Sequence, residues 1–140
     1  MAEKVEISNA EWEIMRLLWT LKHATSRQLI DLLSEKFDWK DATIKTLLRR
    51  LVDKNYVRIK KDGRSFIYYP NVSEQPTINH QIMNAFNKIC QMHVGETLDF
   101  VLNQVPLSQK DIKQLEKTLA AKKKDAPDIL KCNCLPHCKD

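Results

Sequence analysis

A chain of 140 residues with a formal charge of +5, 43% hydrophobic and 29% charged residues has the size of one compact domain, or of a small domain with an appendage. No apolar run approaches the roughly 20 residues of a membrane span, and the opening MAEKVEISNAEWE lacks the apolar segment of a secretory signal. A cytoplasmic protein without a membrane partner is therefore expected. The charge is unevenly spread: residues 39–64 hold nine Lys or Arg against three Asp, the electrostatic footprint of a nucleic-acid binder.

Ser8 and Glu11 have capping-box spacing, with Ile7 before and Trp12 after as a hydrophobic staple. The first helix then carries Trp12, Met15, Leu18 and Trp19 at helical spacing, and large aromatics of this kind belong to a core. His23-Ala24-Thr25 breaks the pattern, and Thr25 or Ser26 caps a second helix through about Lys36, with Leu29, Leu32 and Leu33 turned inward. Phe37 and Asp38 connect to a third helix whose entry Trp39 plugs. There Ile44, Leu47, Leu48 and Leu51 recur at i, i+3, i+4 and i+7, one apolar face. Ala42, Lys45, Thr46, Arg49 and Asp53 fall opposite, with Thr43 and Arg50 along a margin. On an isolated helix such a face is ordinary solvated surface, but Arg and Lys also contact guanine edges or phosphates, and a small Ala allows close approach to a groove floor.

After Asn55 the period changes from 3.6 to 2. Tyr56–Lys61 alternates apolar and basic, Asp62-Gly63 follows, and Arg64–Tyr69 forms a second run ended by Pro70. Asp-Gly between alternating runs predicts a hairpin on a type I′ turn, its tip flanked by Lys60, Lys61 and Arg64. Three helices and a hairpin in this order make a winged helix-turn-helix, whose third helix enters the major groove while the wing touches the backbone. The candidate DNA contacts are thus Thr43, Lys45, Thr46, Arg49 and Arg50 on the helix, with Lys60, Lys61 and Arg64 on the wing.

Beyond residue 72 the reading is helical. Ile78, Ile82, Ala85, Phe86 and Ile89 make one face after Pro76, a helix that Gly95 should stop. Leu98, Val101, Leu102 and Val105 make a second helix closed by Pro106. Ser108 caps a third with Asp111 at box spacing, and Ile112, Leu115 and Leu119 form its stripe. About fifty residues in three short helices cannot bury these stripes alone. A homodimer solves this and would also place two recognition helices on a palindromic operator. Cys90 beside the stripe reads as a buried structural thiol, and His80 and His93 as surface residues. The expected architecture is mainly α with a small β-hairpin: a winged-helix DNA-binding domain over 1–72, a helical dimerisation domain over 73–123, and a linker with a cysteine-rich tail over 124–140.

The tail reads Cys132-Asn-Cys134-Leu-Pro-His137-Cys138-Lys-Asp140. Three thiols within seven residues can converge on one soft cation, since thiolates select Cu(I), Zn(II) and similar ions. A redox switch competes, because Cys132 and Cys134 could close a small disulfide ring, but that leaves Cys138 and His137 unexplained. An enzyme is remote. The chain has no nucleophile–base pair, no phosphate loop and no Cys-x-x-Cys beside a βαβ pattern.

Ala10-Glu-Trp-Glu-Ile-Met, Asp38-Trp-Lys-Asp-Ala-Thr-Ile-Lys-Thr-Leu and Gly63-Arg-Ser-Phe-Ile-Tyr-Tyr resemble the penicillinase-repressor (BlaI/MecI) family. With the cysteine tail, the whole chain looks like that family's copper-responsive CopY-type branch. The resemblance implies a homodimer that represses a copper-export operon from a palindromic operator of the TACAnnTGTA kind. It further implies Zn(II) at the tail in the DNA-binding form, and release when Cu(I), handed over by a copper chaperone, displaces zinc. The β-lactam branch is instead inactivated by proteolysis at an Asn-Phe bond, and Leu102-Asn103-Gln104-Val105 argues against that route here. The branch motif is usually Cys-x-Cys-x4-Cys-x-Cys; here the second spacing is x3, and Asp140 stands where the fourth cysteine would be. Cys132, Cys134 and Cys138 are then the metal ligands, with His137, Asp140, a water or a partner-chain group as the fourth. Zinc, which prefers four ligands, should bind more weakly than in four-cysteine relatives. A repressor of the same family responding to thiol oxidation or another soft metal is the alternative.

Overall fold

The Ser8 hydroxyl accepts the Glu11 amide (3.1 Å) while Glu11 accepts the Ser8 amide (3.0 Å), so α1 (Asn9–Leu21) starts on a reciprocal capping box. Thr25 and Gln28 repeat the device at α2 (Ser26–Phe37). The computed structural model describes residues 6–136. They fall into two units, divided between Gln81 and Ile82.

In the first unit, α1, α2 and α3 (Asp41–Asp53) enclose a core of Ile14, Met15, Leu18, Leu29, Leu33, Ile44, Leu48 and Leu51, joined by Ile7, Trp19, Ile30, Leu47 and Val57. The apolar face expected of α3 is buried in full. Helix α2 differs: Ile30 is buried and Leu32 lies 40% exposed. Positions 29, 30 and 33 span the same arc of about 100° as 29, 32 and 33, and the helix is rotated so that the side carrying Ile30 meets the core. Trp39 is a partial plug, half-buried against the core and stacked on Phe37 at 4.9 Å.

A three-stranded antiparallel sheet completes the unit, in the order β1 (Ala24–Thr25), β3 (Ser65–Pro70), β2 (Val57–Asp62). The strand β1 has no sequence signature, being two residues between helices. It forms because Ala24 and Thr25 lie beside Tyr68 and Ile67 of β3. The hairpin turn is centred one residue later than expected. Asp62 pairs with Ser65, leaving Gly63 and Arg64 at the corners, and only Gly63 has positive φ (63°). A glycine alone at the first corner is the pattern of a type II′ turn, not of the I′ turn that Asp-Gly suggested. Trp19 Nε1 donates to the Val72 carbonyl (3.0 Å), which ties the chain leaving the wing back to α1.

The second unit continues α4 (Glu74–Phe86) through a 3-10 turn at Gln91–His93 into α5 (Val94–Gln104) and α6 (Gln109–Lys123). Ser108 and Asp111 form the expected capping box at α6. Gly95 does not stop a helix. It lies in the first turn of α5, and α4 has already ended at Phe86, so Ile89 belongs to the connection. None of α4, α5 and α6 has a buried residue.

Candidate nucleic-acid interface and cysteine site

Helix α3 presents its polar face because its other face is fully taken up by the core. Thr43, Lys45, Thr46, Arg49 and Arg50 are all exposed, as are Ala42 and Asp53. Ala42, Thr43, Thr46, Leu47 and Arg50 border a shallow depression. Thr46 donates its hydroxyl to the Ala42 carbonyl (2.9 Å). In that rotamer its oxygen can accept from a base amine but cannot donate to a phosphate.

The end of α3 sets where the wing goes. Asn55 adopts a left-handed φ of 65°, its amide bonding to Val52 and that of Tyr56 to Leu51, the paired bonds of a Schellman stop. Asn is one of the few residues that enters this region readily. The chain therefore reverses directly into β2. Lys60, Lys61 and Arg64 are exposed on this wing, with Lys60 and Lys61 on opposite faces by strand alternation. Among the described residues none of the cations at 45, 49, 50, 60, 61 and 64 is held in an ion pair. Arg58 is different: its guanidinium lies 4.5 Å over the Tyr69 ring, which also faces His23 at 5.5 Å.

The tail contributes a second site. Cys132 and Cys134 come together with Cys90, the three sulfurs lying within 4.8 Å of one another. Cys90 is thus not the buried structural thiol expected from its neighbours. It is only half-buried, in the connection after α4, where the helix has ended and its side chain faces the tail. Amides of Met92 and Asn133, then the thiols of Cys134 and Cys132, bring the Cys90 thiol down to about 7 against some burial. The tail is held there by Gln91, whose amide donates to Asn133 Oδ1 (3.1 Å) and whose Nε2 donates to the Lys131 carbonyl (2.7 Å). The Cys134 amide donates to Cys132 Sγ (3.4 Å). Such a set of sulfurs is suited to a soft cation. Cys138, His137 and Asp140 lie outside the described residues. Spacing could not reveal Cys90, which is 42 positions from Cys132; the hint was a lone thiol next to a helix break.

A family model described as penicillinase repressor matches residues 7–121. The chain belongs to the penicillinase repressor family. As a member it is a DNA-binding transcriptional repressor and not an enzyme. A 16.5 kDa uncharacterized protein from the ptsI 3′ region of Latilactobacillus sakei is 45% identical over 138 residues, covering 98% of this chain and 94% of that one. The methicillin resistance regulatory protein MecI of Mammaliicoccus sciuri is 37% identical over 120 residues, 84% of this chain and 95% of its own. The solution structure of the DNA-binding domain of the repressor BlaI shares 36% identity over 53% of this repressor and 90% of that domain, with a TM-score of 0.49. The match to the family stops before Cys132, so the tail cysteines lie outside it and Cys90 inside. Among the described residues no helix is long and apolar enough to cross a membrane.

Proposed function

We propose that this repressor is copper-responsive: it binds a palindromic operator as a homodimer and leaves it when Cu(I) displaces Zn(II) at the C-terminal cysteines. The observation that carries this reading is the gathering of Cys132 and Cys134 into a three-sulfur cluster, in a tail that the family match does not include. Cys138 would join as a further ligand, and His137 or Asp140 would offer a nitrogen or oxygen donor as the fourth. Thr43, Lys45, Thr46, Arg49 and Arg50 would meet bases and phosphates in the major groove, and Lys60, Lys61 and Arg64 the flanking backbone. Thiolates hold Cu(I) and Zn(II) in preference to hard cations, so the site would discriminate by chemistry of the donor and not by net charge. A copper chaperone is the implied source of Cu(I).

The test is operator binding by the zinc-loaded protein, followed by anaerobic addition of Cu(I). Release by Cu(I), lost in a variant carrying Cys132→Ser, Cys134→Ser and Cys138→Ser, is the expected result. Binding indifferent to both metals would overturn the reading. The closeness of the three sulfurs also favours a second reading, in which oxidation to a disulfide is the signal. Release by a mild oxidant in the absence of metal, reversed by a thiol reductant, would select it.

A further inference from the structure

We infer that Cys90 is a ligand of the same metal ion as Cys132 and Cys134, so that metal binding fastens the tail onto the corner between α4 and α5. This rests on the proposed metal-sensing role and adds a ligand from outside the tail. Three sulfurs around one zinc at about 2.3 Å would stand roughly 3.8–4.0 Å apart, and those of Cys90, Cys132 and Cys134 already lie within 4.8 Å. Little movement separates the cluster from a coordinating set.

The approach of the tail is also specified. Gln91, next to Cys90, holds Lys131 and Asn133 on either side of Cys132 through the bonds at 2.7 and 3.1 Å. That clasp sets the register at which the two tail sulfurs meet the third. A zinc site built of sulfur prefers four thiolates, and Cys90 adds one from outside the tail to those of Cys132 and Cys134. On binding, each thiol releases its proton to solvent and gives a sulfur lone pair to the metal; no oxidation is involved.

The position of Cys90 gives the ligand a consequence. Ile82, Met83 and Phe86 of α4 and Val94 and Leu98 of α5 line an apolar groove that Asn133 of the tail also borders. A tail fixed at Cys90 is held against these helices, whereas a metal held by tail cysteines alone leaves the helices unconstrained.

Titration of the reduced full-length protein with Co(II), a spectroscopic stand-in for Zn(II), decides the matter. Sulfur-to-cobalt charge-transfer absorption grows with the number of thiolates bound. Cys90→Ser should remove one thiolate's share of that band. It should also weaken Zn(II) binding, measured against a competing chelator, by more than the roughly 10- to 100-fold that loss of an outer-shell partner costs. Asn133→Ala keeps every thiol, and should weaken binding less while leaving the saturated band intact. Far-UV circular dichroism identifies a variant that has merely unfolded, in which case the Asn133→Ala comparison carries the decision. A band and an affinity unchanged in Cys90→Ser, yet lost in Cys132→Ser, would overturn the inference while leaving metal sensing by the tail in place. No charge-transfer band even in the unaltered protein would remove both.

Discussion

Glu11 is the buried charged side chain among the described residues, 2% exposed, and the Lys54 ammonium bonds both its oxygens at 2.8 and 3.0 Å while also donating to the Glu6 carbonyl. The pair ties the start of α1 to the end of α3. Burial alone would raise the Glu11 carboxyl, but the Lys54 hydrogen bonds, then those from Ser8, outweigh it and hold the group below its usual 4.5. A carboxyl lowered on folding contributes stability that is full above the unfolded value and is lost as pH falls through the folded one. Lys54→Ala should cost about 2–3 kcal/mol at neutral pH in urea unfolding. The figure sits below that of a fully buried pair because Lys54 is reached by water. The deficit should shrink below about pH 4.5, where a neutral carboxyl tolerates burial; a deficit constant from neutral to acid would show that the ion pair is not its cause. Asn55 offers a second check at this scale. Asn55→Gly should be neutral within a few tenths of a kcal/mol, while Asn55→Val should cost about 1–2 kcal/mol, the strain of a β-branched residue at left-handed φ.

At the scale of elements, α3 and the wing divide the work of binding DNA in different ways. The cations of the wing sit on a hairpin whose tip is free of ion pairs with described residues, so they can meet phosphates without first breaking a contact. Lys61→Ala should weaken binding similarly on all sequences and lower the salt slope of log K by about one. Arg50→Ala and Thr46→Ala lie on the helix that would face the base edges. They should cost about 1–3 kcal/mol on the preferred operator and less on altered ones, seen by competition among operator variants. Uniform losses across all variants would reduce those two side chains to backbone contacts.

At the scale of the whole molecule, the second unit poses the larger question. Helices α4, α5 and α6 bury no residue, while Phe100 stands 64% exposed and Leu102, Leu115 and Leu119 lie open along α5 and α6. Apolar faces of this extent call for a partner surface, and a second copy related by a two-fold axis covers both at once. Phe100→Asp together with Leu115→Asp should leave a monomer by sedimentation velocity. It should also bind a full operator with the affinity of a half-site. A wild-type chain that sediments as a monomer at micromolar concentration would contradict the proposed homodimer.

Local rules carried much of this protein. Capping boxes at Ser8 and Ser108, the apolar face of α3 and the change from period 3.6 to period 2 after Asn55 each depend on residues a few positions apart, and so were readable from the chain. The charge on α3 and the wing was readable for the same reason, since a side chain whose helix face is opposite the core has nowhere to go but solvent. Other features needed partners distant in sequence. Strand β1 exists only because β3 runs beside Ala24 and Thr25, and the choice of Ile30 over Leu32 depends on how α2 meets α1 and α3. The hairpin register was settled by pairing along the whole ladder, which moved the turn one residue beyond Asp62. Cys90 is the clearest case. Its neighbours marked it as core, but α4 ends before it, and 42 residues later the tail returns to set two more sulfurs beside it. That meeting is a property of chain path, which only the folded structure decides.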